Sequence, residues 1–163
     1  MSSASAVLSN PSVERVRQAL ERAGMKPSIV ELPGAARTAK AAADYLGCAV
    51  SQIANSLVFR AEASERAVLV MSSGASRVDT HKLARLLGEP VGKADADFVR
   101  RHTGFAIGGV APVGHGLQTV FVEKTLGAHD ELWAAGGHPH TVFRLTYPDL
   151  LRITGGTEAE ISA

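Results

Sequence analysis

This 163-residue chain carries six histidines and one cysteine among the side chains that could do chemistry, and three of the histidines fall within glycine-rich loops. His81, His102, His115, His129, His138 and His140 include no HExxH pair. A single cysteine, Cys48, cannot build a thiolate zinc site. It reads as a small buried thiol. His138 and His140 alternate, so on an extended segment they share a face. They are half a metal site or a solvated pair, and no metal or other cofactor is expected. The loops are Ser72–Arg77, Thr103–Gly116 and Ala134–His140. Glycine lets backbone N–H groups approach a ligand closely, and such loops can cradle a phosphate or an oxyanion. Tight turns at strand ends are the plainer reading of each loop. There is no GxxxxGK[ST], no GxGxxG opening a helix and no GxSxG elbow.

One polar residue stands out for where it sits. The stretch Ser51–Phe59, SQIANSLVF, reads as a strand. Residues two apart on a strand share a face. Asn55 therefore lies with Ile53, Leu57 and Phe59, the more apolar set, which is expected to turn inward. An amide aimed into an apolar interior is either a ligand group or a clamp on backbone at a strand irregularity.

Helices are well punctuated. Asn10-Pro11, Thr38, Asp79, Asp95 and Thr146 are cap residues, and Gly24, Gly47, Gly88 and Gly155 are stops. Val78 and Leu83 are spaced as a hydrophobic staple around the third cap. Strands are expected over Pro27–Leu32, Ile53–Phe59, Arg66–Met71, Thr119–Glu123, Leu132–Ala135 and Thr141–Leu145. The short polar link from Phe59 to Arg66 reads as a hairpin. Helices and strands intersperse without strict alternation. The fold class is α+β: one domain with a mostly antiparallel or mixed sheet.

Bulk composition agrees. Hydrophobic residues make up 45% and charged residues 20%, a globular balance. The net charge is only +1, so a nucleic-acid partner would have to be met by a local basic patch. Arg77, Lys82 and Arg85 form one small basic set, and Arg100 and Arg101 another; a solvated face is the ordinary reading of each. No apolar run is long enough to span a membrane, and the N-terminus is no signal peptide. The cysteine count fits a reducing cytoplasm. Residues 1–10 read as a flexible tail, 11–157 as the domain and 158–163 as a second flexible tail.

In order and spacing, Thr38–Gly47, Gln52–Phe59, Ser73–Gly88, TGFAIGGVAPVGH (Thr103–His115), AAGG (Ala134–Gly137) and TYPDLLRITG resemble the YbaK family. These are free-standing relatives of the editing domain inserted in bacterial prolyl-tRNA synthetases. The likeness spans roughly residues 12–156 of this chain. It implies a curved, barrel-like mixed sheet surrounded by helices. It also implies a trans-acting aminoacyl-tRNA deacylase that hydrolyses the ester of a mischarged tRNA without a metal. The partners implied are the tRNA 3′ end and, as a candidate physical partner, a synthetase. Gly108 and Pro112 fall on the family's GxxxP signature. Gly108 and Gly109 are then catalytic candidates through their backbone. Thr38, Ser73, Gly74, Arg77, Pro112, His115, Gly136, Gly137 and His138 are candidate substrate-binding residues.

The chain departs from the family at one position. The lysine that relatives carry in the strand matching SQIANSLVF falls on Asn55, which becomes the third catalytic candidate. An amide keeps a donor and gains an acceptor but loses the charge. A charge-assisted hydrogen bond exceeds a neutral one by on the order of 1–2 kcal/mol. That is roughly tenfold in rate. The alternatives are an active subtype built around asparagine and a non-catalytic module that binds an aminoacyl-adenosine or tRNA end.

Overall fold

Side-chain caps begin the helices. The computed structural model describes residues 6–36 and 38–163. Asn10 accepts from the Ser12 N–H at the start of α1 (Pro11–Arg22), and Thr38 accepts from Ala41 at α2 (Ala39–Leu46). Asp79 caps α3 (Thr80–Leu87), Asp95 caps α4 (Ala96–Thr103) and Thr146 caps α5 (Tyr147–Thr154). Each cap satisfies backbone donors that a helix leaves unpaired at its first turn. Gly47, Gly88, Gly104 and Gly155 end four of these helices in the left-handed conformation.

The strands are β1 (Val30–Glu31), β2 (Ile53–Ala61), β3 (Ala67–Ser73), β4 (Val91–Lys93), β5 (Val120–Glu123), β6 (Leu132–Ala135), β7 (Thr141–Leu145) and β8 (Thr157–Ala159). They form one mixed sheet in the order β1-β7-β6-β2-β3-β5-β8, with β4 also pairing β2. The β2–β3 hairpin is antiparallel, as its short link implies; β2–β6, β3–β5 and β5–β8 are parallel. The α+β expectation therefore holds in a single mixed sheet. The sheet does not close into a barrel: β1 and β8 are its two ends.

Each face of the sheet is covered. On one, Ala54, Leu69, Met71 and Phe143 pack with Val16 and Leu20 of α1, Val99 of α4 and Leu150 of α5 in the largest core. On the other, Ile53 packs with Ala42 and Ala43 of α2, while Phe59, Val68 and Val70 pack around Leu83 of α3. Asn55 does share the face of Ile53 and Phe59. The larger core, however, lies on the opposite face, and Asn55 falls between the α2 and α3 clusters.

The C-terminal residues correct the sequence reading. Residues 158–163 are no loose tail: β8 runs parallel to β5, and Ile161 is fully buried. The Glu123 carboxylate, itself buried, accepts from the Ile161 N–H and the Ser162 hydroxyl. Burial opposes the charge of Glu123, but hydrogen bonds from Thr125, Ile161 and Ser162 outweigh it and hold the carboxyl below its ordinary value. At the other end, residues 1–5 of the expected tail lie outside the described residues, and Asn10 is already a helix cap.

Candidate active site

A cavity of about 180 Å³ opens where β2 loses one of its two neighbours. On one edge β2 pairs continuously with β3 from Ala54 to Arg60. On the other, β6 pairs only Ile53 and Ala54, and β4 only Phe59–Ala61. The break between them lies at Asn55–Val58. Asn55, Ser56 and Leu57 line the cavity there. Trp133 and Ala135 of β6 wall it on one side, and Thr38, Ala39 and Ala42 of α2 on another. Ile107, Gly108 and Pro139 reach over it from the glycine-rich loops. A smaller adjoining cleft shares Ser56, Leu57 and Gly108 and ends on Ala94 and Val99.

Asn55 is half-buried, and its side chain makes no hydrogen bond with any described residue. The amide is therefore not clamping backbone at a strand irregularity. It presents two donors and an acceptor to the cavity. Among the described residues no charged or titratable side chain lines that cavity. Its polar inventory is Asn55, Thr38, Thr141, the indole of Trp133 and exposed backbone, including that of Ser56, whose hydroxyl faces Met71 instead. Both threonine hydroxyls are engaged. Thr38 caps α2, and Thr141 donates to the His138 carbonyl at 2.8 Å and accepts from the His138 N–H at 3.2 Å.

The Gly108 loop is fixed at three places. At its start, the Arg15 guanidinium lies 4.3 Å from the Phe105 ring centroid and donates to the Thr103 carbonyl. In its middle, the Gly109 N–H donates to Ala106, and a Cβ on Gly109 would sit 2.9 Å from the His138 Cα. At its end, buried His115 accepts from the Leu117 N–H through Nδ1, which leaves Nε2 to donate to the Pro112 carbonyl at 3.1 Å. Burial pushes the pKa of His115 down, with the Pro112 bond acting against it. Gly108 itself has φ +86°, a conformation that favours glycine, and lies against Pro139.

The remaining sequence candidates sit away from the cavity lining. Ser73 accepts from Ala75, and Gly74 lets Val50, Ala39 and Ile53 close up around it. Arg77 is exposed beyond β3. Pro112 and His115 are buried in the loop, and Gly136 and Gly137 pack under Ile29 and α1. His138 accepts from the His140 N–H, its ring edge-on to His140. Burial, then the His140 charge, depress the His138 pKa. Among the described residues no group of three or more His, Cys, Asp or Glu side chains is arranged to hold a metal ion. The Cys48 thiol is pushed up by burial and then by Glu131, opposite to an activated nucleophile. The sequence reading missed Ser56, Trp133 and Pro139. Trp133 is the lone tryptophan, but nothing in its spacing tied it to Asn55.

With this geometry in view, the comparisons with known proteins fall into place. Residues 34–153 match the model of the aminoacyl-tRNA editing domain. The chain belongs to that family. Every described residue of the cavity lies within the matched span. A crystal structure of a candidate trans-editing enzyme for prolyl tRNA synthetase is 44% identical, with TM-score 0.86, covering 94% of this chain and 98% of that one. A structure from work on grafting linear epitopes onto scaffold proteins is 42% identical, with TM-score 0.88, covering 94% of this chain and 99% of that one. YwhH of Bacillus subtilis (strain 168), itself uncharacterized, is 27% identical over 141 residues, 85% of this chain and 88% of that protein. No helix among the described residues of this editing domain is long and apolar enough to cross a membrane.

Proposed function

We propose that this editing domain is a trans-acting deacylase that hydrolyses the ester of a mischarged aminoacyl-tRNA, with Asn55 in the place of the usual lysine. The observation that carries the reading is the pairing of an uncommitted amide, Asn55, with the braced Gly108 loop across one small cavity. An aminoacyl ester is already activated, so the protein need not supply a strong nucleophile. A positioned water and backbone donors aimed at the developing oxyanion account for catalysis. Asn55 would orient that water or a hydroxyl of the terminal ribose, and Gly108 would bring backbone close to the scissile carbonyl. The apolar walls from α2 and β6 would exclude bulk water and fit a small, uncharged aminoacyl side chain.

Incubation with a panel of mischarged tRNAs tests this. Ester loss well above the uncatalysed rate on one or a few aminoacyl groups is expected, and loss on none would overturn it. The absence of a titratable side chain from the described lining favours one second reading, a module that binds the aminoacyl end without cleaving it. Saturable binding of an amide-linked aminoacyl-adenosine, with no hydrolysis of any ester in the panel, is the outcome that reading requires.

A further inference from the structure

The break in β2 leaves one residue's backbone unspent inside the cavity. Gly74 donates to the Ile53 carbonyl and Ala61 to the Arg66 carbonyl, in the same register as the β2–β3 ladder. Odd-numbered residues of β2 therefore spend their N–H and C=O groups on β3. Even-numbered ones point to the other edge. There Ala54 is paired by β6 and Arg60 by β4. Ser56 and Val58 stand between them, and of the two only Ser56 lines the cavity. Among the described residues its N–H and C=O have no strand partner, and Ser56 lines both the cavity and the adjoining cleft. Its hydroxyl is turned away, toward the Met71 sulfur at 3.4 Å.

We infer that Ser56 holds the aminoacyl group through its backbone, as one residue of an antiparallel strand holds the residue opposite. In such a pair the two residues exchange both N–H···O=C bonds. An α-aminoacyl ester carries an amino group and a carbonyl on neighbouring atoms, as one residue does. Its amino group donates to the Ser56 carbonyl, and its carbonyl accepts from the Ser56 N–H. The occupant is a single α-amino acid unit because the gap spans only Asn55–Val58 and is covered by Ile107 and Gly108. A peptide strand would need a longer open edge. Recognition of the α-amino group by backbone also explains how a cavity without a charged side chain among its described residues can select aminoacyl esters over simple acyl esters. The inference rests on the deacylase reading and names its substrate class more closely.

Two arms test it, using the aminoacyl group that the tRNA panel ranks fastest. The first compares that ester with its desamino counterpart, each expressed as enhancement over its own uncatalysed rate. A loss of about tenfold or more on removing the amino group is expected. The second replaces the peptide N–H of residue 56 by an ester oxygen through nonsense suppression. Thermal stability should fall only slightly, because that N–H has no strand partner among the described residues and the exchange merely weakens the Asn55 carbonyl as an acceptor from β3. Binding of the amide-linked aminoacyl-adenosine should weaken about tenfold. The same replacement at position 54, inside the β6 ladder, should lower stability. Equal enhancement for both esters, or unchanged binding by a stable position-56 variant, overturns the inference and leaves the deacylase reading intact. If the position-56 variant does not fold, the desamino arm decides. No hydrolysis anywhere in the panel removes the deacylase reading, and this inference with it.

Discussion

Asn55 makes no hydrogen bond with a described residue, so its removal should cost activity and not stability. Asn55→Ala is expected to slow single-turnover ester hydrolysis by roughly tenfold, the worth of one or two neutral hydrogen bonds. The melting temperature should stay within about 2 °C of the wild type. A purely structural asparagine would show the reverse. His115 gives the opposite pattern. Burial holds its pKa below 6.5, the value expected in the unfolded chain. Above pH 6.5 neither state binds the proton, and the folded protein has the full contribution. As the pH falls below 6.5, the unfolded chain takes up a proton that the folded chain resists, so stability declines until the folded pKa is reached. His138 adds to the decline in the same direction. His115→Gln should therefore flatten, without abolishing, the fall in urea-unfolding stability between pH 6.5 and pH 5. Glu123 enters only below its ordinary 4.5, where the contribution of a depressed carboxylate begins to be lost.

At the scale of elements, the glycine-rich loop and the C-terminal strand separate function from stability. Gly109 has no unusual φ, but a Cβ there would meet backbone at His138, which cannot swing aside as a side chain would. Gly109→Ala should push Gly108 off its position over the cavity. Hydrolysis should drop more than tenfold, since misplacement by about 1 Å costs on that order or more. Glu123→Gln should instead leave the cavity intact and loosen β8, at a cost of about 1.5–3 kcal/mol by urea denaturation. The helices and the β2–β3 hairpin were legible in the sequence because caps, glycine stops and a short polar link are local signals. β4 and β8 were not. Each has three residues, and their hydrogen bonds come from β2 and β5 rather than from a pattern of their own. The same limit applied to the site. Periodicity found the face of Asn55, but it could not show that β2 loses a neighbour at Ser56, because β4 and β6 are distant in sequence.

For the whole molecule, a net charge of +1 means that binding of tRNA must depend on where the cations lie. The two basic sets are on different faces of the sheet. Lys82 and Arg85 belong to α3, and the Lys82 ammonium already donates to the Ser162 carbonyl. Arg100 and Arg101 are exposed on α4, next to Val99, which lines the cleft adjoining the cavity. A 3′ end seated at Ser56 and Gly108 would place the acceptor stem nearer to α4. The Arg100→Ala, Arg101→Ala double variant should therefore lower kcat/KM for aminoacyl-tRNA about tenfold at low salt. It should also make the plot of log kcat/KM against log salt shallower by about 1 for each phosphate that is no longer neutralised. Hydrolysis of a minimal aminoacyl-adenosine ester should not change, since no phosphate beyond the terminal nucleoside is present. Arg85→Ala should alter neither substrate. An equal loss on the minimal ester would mean that α4 shapes the cavity itself, and a loss confined to Arg85→Ala would move the tRNA path to the α3 face.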